Sequence, residues 1–122
     1  MTTRLRFTRP LLGLGEDVDY ELAPVDDVAG LYTLASSTLQ LYLVDPDAFL
    51  RGYSPAVSPD ELLGIGGVDD PAAYAMFAVT TLAADGPTAN LMAPIIVHRE
   101  TGRAAQVILS DDRYPVSVPL AA

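Results

Sequence analysis

Short apolar runs recur along this chain, most of them alternating with polar residues at a period of two, and they predict strands rather than helices. Leu5-Arg6-Phe7-Thr8-Arg9 alternates in this way and predicts a first strand with one buried face. Val18, Tyr20 and Leu22 alternate with Asp19 and Glu21, and Leu31–Leu34 is a further apolar stretch. In Leu39–Val44 one face is wholly leucine, while Gln40, Tyr42 and Val44 make the other mixed. That is the character of a central strand covered on one side and partly on the other. Asp45-Pro46-Asp47 ends it. A longer apolar strand is predicted over Tyr74–Leu82, and Asp85-Gly86-Pro87 then turns the chain. Tyr114–Leu120 reads as a final edge strand, because Pro115 and Pro119 each lack a ladder donor.

The chain is organised around Thr88–Leu109, a predicted β-hairpin. Ile95-Ile96-Val97 supplies a β-branched first strand, Glu100-Thr101-Gly102-Arg103 a turn in which glycine can take positive φ, and Val107-Ile108-Leu109 the return. Pro94 fixes φ and cannot donate, so it is expected at the strand's start or on an edge. Helix signals are few. Ser58-Pro59-Asp60-Glu61 is a capping box with proline at the first helical position, and Gly64 ends it within one or two turns. Roughly eight short strands at this spacing predict a mainly β chain and suit a small barrel or a strongly bent sheet. The expected architecture is a small antiparallel β-barrel-like single domain over residues 1–122 with one or two short helical turns.

Charge changes the picture most. The chain has 7 arginines, no lysine, 16 acids and a net charge of −9. From Pro10 to His98 only Arg51 opposes 13 acids, a net of −12. Such a surface repels phosphate backbones and argues against direct nucleic-acid binding. Solubility is its plain purpose, and a basic protein partner its pointed one. With no cysteine, disulfides, thiolate nucleophiles and cysteine-based zinc sites are excluded. No run is long enough to span a bilayer and no signal-peptide core opens the chain, which predicts a cytoplasmic protein without membrane association.

The chemistry-bearing residues are isolated. His98 is the only histidine, and a base or metal site needs companions that Glu100 alone does not supply, so a structural or solvent-facing role is expected. Asp26-Asp27, Asp69-Asp70 and Asp111-Asp112 lie in turn-like stretches, where carboxylates bond nearby amides, and no calcium-binding loop pattern occurs. Asn90 can satisfy backbone groups where Leu91–Pro94 bends. No enzymatic activity and no cofactor is predicted. The six tyrosines suit barrel edges and protein interfaces alike.

Asn90-Leu91-Met92-Ala93-Pro94-Ile95, followed after a Thr-Gly turn by Gln106-Val107-Ile108-Leu109, resembles the signature of the flagellar assembly factor FliW family. Leu39–Val44 running into Asp-Pro, then Phe49 and Tyr53 before Pro55, is similar to that family too. Glu16 stands at the family's acid after a Gly-rich turn, but the bulky aromatic beside it is missing here. The resemblance implies a small β-barrel-like fold and a non-enzymatic cytoplasmic regulator. Its implied partners are flagellin and the RNA-binding translational repressor CsrA, with binding of the repressor relieving its block on flagellin synthesis. Together with the acidic surface it makes Asp45, Asp47, Tyr53, Asp69, Asp70 and Asn90 the candidate partner-binding residues. Two other classes stand beside it: a small ligand-binding β-barrel, which needs an apolar cavity with convergent polar groups, and a weak hydrolase built on His98, Asn90 or an Asp turn.

Overall fold

Eight strands and one short helix make up the described backbone: β1 Thr3–Phe7, β2 Asp19–Pro24, β3 Leu31–Ala35, β4 Gln40–Val44, α1 Pro46–Phe49, β5 Tyr74–Ala83, β6 Gly86–His98, β7 Arg103–Gln106 and β8 Val118–Pro119. This computed structural model describes residues 2–11, 13–49, 53, 65, 73–84, 86–109, 114–115 and 117–120. The strands follow one another in the order β5-β4-β3-β2-β1-β7-β6, and β6 pairs back onto β5, closing seven strands into a barrel to which β8 adds on β6. The antiparallel expectation holds for every pairing except β1 with β7, which is parallel. An odd ring requires this, since directions cannot alternate all the way round seven strands. Arg6 N–H donates to the Gly102 carbonyl (2.9 Å) and Thr8 N–H to that of Ala104 (3.0 Å), which makes the closing seam.

The period-two pattern becomes inside and outside. Leu5 and Phe7 are buried while Arg4 and Arg6 are exposed, and Tyr20 and Leu22 point inward between exposed Asp19 and Glu21. Leu34, Leu43 and Ile95 meet at the centre with no exposed surface, joined by Phe7, Tyr20 and Phe77 in one cluster. Removing each such side chain from water contributes about 1.5–3 kcal/mol. The rings pack edge to face, Phe7 on Tyr20 at 5.3 Å and Tyr32 on Phe77 at 5.2 Å. Outside the barrel wall, Ile65, Ile96, Ala105, Val107 and Leu109 form a second buried cluster.

The organising hairpin is longer and differently bent than expected. Instead of starting at Pro94, β6 runs 13 residues and carries Pro94 inside it. The reason is a register shift: Phe77 pairs with Ile95 but Val79 with Asn90, so Ala78 alone stands opposite four residues of β6. Residues 91–94 bulge, and β5 demands no N–H from Pro94 there. The return strand is β7 at Arg103–Gln106 rather than Val107–Leu109. The latter segment follows the bulge, with Val107 N–H bonding the Pro94 carbonyl (2.9 Å) and Leu109 N–H that of Met92 (2.7 Å).

Of the expected last strand Tyr114–Leu120, only Val118–Pro119 is strand among the described residues, paired with Ala89 and Thr88, and its Pro119 cannot donate. The first strand ends at Phe7 rather than Arg9. The capping box at Ser58–Leu63 lies outside the described residues. Asp45-Pro46-Asp47 does end β4, and it also starts α1: the Asp45 carboxylate accepts from Asp47 N–H at 3.0 Å, with Pro46 at the first helical position.

Candidate functional site

Where β4 gives way to α1, the chain leaves β5. Asp45 N–H donates to the Gly30 carbonyl at 2.8 Å, which holds the turn to the start of β3. Opposite this turn lies the first half of β5, and between them opens a cleft of about 300 Å³. Asp45 and Asp47 line it from one side, Tyr74 and Phe77 from β5, Tyr32 from β3, and Tyr53 from the segment beyond α1. Three of the six sequence-predicted residues, Asp45, Asp47 and Tyr53, therefore meet in one place.

Asn90 does not line the cleft but is joined to it. The half-buried Tyr53 hydroxyl donates to the Leu91 carbonyl at 2.6 Å. Beside that carbonyl, the Asn90 side-chain oxygen accepts from Met92 N–H (2.9 Å) and Ala93 N–H (3.2 Å). The amide thus satisfies the bulge backbone, the structural role expected of it. The Tyr53 ring meets Tyr114 edge-on at 5.2 Å. Burial, and then Tyr114, push the Tyr53 phenol up to about 12. Asp69 and Asp70 lie outside the described residues.

The cleft carries negative charge. Among the described residues the one ion pair is Arg6–Asp19 at 3.2 Å, so no described arginine sits within ion-pair distance of Asp45 or Asp47. Arg99 also lines the cleft. His98 borders it through an edge-on contact with Tyr74 at 5.1 Å. Its Nδ1 accepts from Glu100 N–H (3.2 Å) and Thr101 N–H (3.3 Å), so the imidazole caps the hairpin turn.

Nothing in the sequence marks Tyr32, Tyr74, Met76 and Phe77 as neighbours of Asp45, because closure and register bring them together. A second unforeseen cluster lies at the β3–β4 turn. Asp17 accepts from Ser36 Oγ at 2.6 Å and from Thr38 Oγ1, and these bonds, Ser36 first, hold its carboxyl below the usual range.

The protein-family model described as FliW protein matches residues 2–120. This chain belongs to the FliW family. The chain is also similar to proteins named flagellar assembly factor FliW: that of Symbiobacterium thermophilum is 34% identical, over 78% of this chain and 70% of the relative. A second such factor, from Desulfotalea psychrophila, is 34% identical over 95% of this chain and 79% of its own, and that of Bacillus subtilis 30% over 93% and 82%. A crystal structure of the flagellar assembly factor FliW superposes with a TM-score of 0.85 over 95% of this chain and 84% of that one, at 22% identity, which establishes the shared barrel. The FliW match spans Asp45, Asp47, Tyr53 and Asn90 alike.

Proposed function

We propose that this protein is a non-enzymatic cytoplasmic regulator of flagellar assembly that binds flagellin and a CsrA-like RNA-binding translational repressor. Repressor bound to it releases flagellin synthesis, and flagellin competes for it. The observation that carries this reading is the FliW match over residues 2–120, together with relatives named for flagellar assembly. Two features support it. A net of −12 over Pro10–His98 complements a partner that must present positive charge to RNA. The barrel interior is filled by its own leucine, isoleucine and aromatic side chains, which favours recognition at the outer surface over a small ligand in the lumen.

Purified protein mixed at micromolar concentration with the host's flagellin, and separately with the host's CsrA-like repressor, should co-elute with each on size exclusion. Adding flagellin to the repressor complex should displace the repressor. Separate elution of both mixtures overturns the proposal.

A further inference from the structure

The cleft beside α1 is bounded by a strand edge as well as by side chains. Among the described residues β4 covers β5 only at Ala78–Thr80, since beyond Val44 it turns away into α1. Arg99 N–H bonds the Ala73 carbonyl at 2.7 Å, and Tyr74 pairs with His98. Antiparallel alternation then directs the main-chain groups of Ala73, Ala75 and Phe77 toward β6. It directs the N–H and C=O of Met76 the other way, into the cleft, where no described strand pairs with them. An extended partner segment laid there gains a main-chain partner, as in strand addition to a sheet edge.

The side chains around this edge select what such a segment carries. Tyr32, Tyr53 and Tyr74 line the cleft, and the Asp45 and Asp47 carboxylates have no described arginine at ion-pair distance. A planar guanidinium suits both, stacking on a phenol ring while its N–H groups reach a carboxylate; a lysine ammonium satisfies the two less well. Tyrosine and arginine are also among the few residue types that dominate protein interfaces.

We propose that this cleft binds an extended, arginine-bearing segment of the basic repressor as an added strand on β5, with the guanidinium between the tyrosines and the Asp45–Asp47 pair. This rests on the reading of the protein as a binder of that repressor.

The test uses the full chain and the purified CsrA-like repressor of the same host. Amide exchange is followed with and without repressor, and affinity is measured for the parent and for D45N/D47N. Asparagine is chosen because it retains the Asp45 cap on α1 while removing charge. The expected results are slowing of Met76 amide exchange by at least about tenfold on binding and weakening by at least about tenfold in the double variant. Should the variant lose its fold by circular dichroism, exchange at Met76 in the parent decides. Repressor binding that leaves Met76 exchange unchanged overturns the cleft assignment and leaves the proposed function standing. Failure of the parent to bind the repressor overturns both.

Discussion

The Tyr53 hydroxyl donates to the Leu91 carbonyl across 2.6 Å and so ties the wall of the acidic cleft to the bulge that follows Asn90. Tyr53→Phe removes the donor and leaves a carbonyl with one partner fewer, at an expected cost of about 1–2 kcal/mol in chemical denaturation. The variant should also change the alkaline limb. A phenol raised to about 12 in the fold, against about 10 unfolded, contributes stability that is fully present below pH ~10 and is lost as pH rises through ~12. The difference between parent and Tyr53→Phe should therefore shrink across that window. A constant difference would mean that the hydroxyl is not held as described.

Asn90→Ala withdraws the acceptor from two bulge amides, Met92 and Ala93, and should cost about 1–2 kcal/mol. Asn90→Asp keeps an acceptor oxygen and should recover most of the loss in the same melts.

Gly102 lies against the Arg4 carbonyl at the closing seam, with φ at +75°. A Cβ there would overlap that oxygen, so Gly102→Ala adds left-handed strain of about 1–3 kcal/mol to a backbone clash. A loss of about 3 kcal/mol or more is expected, and full retention of stability would show that the β1–β7 seam yields easily.

Ile96 and Ile108 separate the two faces of the hairpin. Ile96 is 3% exposed within the outer cluster, whereas Ile108 is 50% exposed. Ile96→Asp buries a charge without a partner and should cost about 4 kcal/mol or more, while Ile108→Asp should fall within about 0.5 kcal/mol of the parent. Equal melting of the two variants would contradict this register.

Association with the basic repressor should be steered by charge. Screening shortens from about 30 Å at 0.01 M salt to about 8 Å at 0.15 M. The on-rate by stopped flow should fall over that range while the off-rate stays nearly constant. An on-rate indifferent to salt would reduce the acidic surface to a solubility feature.

The period-two alternation of Leu5–Phe7 and of Val18–Leu22 decided on its own which residues of β1 and β2 face the core, because successive side chains on a strand point to opposite sides whatever lies beyond. The glycine that turns the hairpin, the mainly β character and the FliW-like segments were equally local and equally legible. The bulge at 91–94 was not, since it exists only relative to β5 and the mismatch between Phe77–Ile95 and Val79–Asn90 cannot be read from either strand alone. The parallel β1–β7 seam likewise follows from closing an odd ring. The cleft gathers Asp45 and Asp47 from one turn, Tyr32 and Tyr74 from separate strands, and Tyr53 from beyond α1. Their adjacency belongs to ring closure and register, which depend on contacts between residues far apart in the chain.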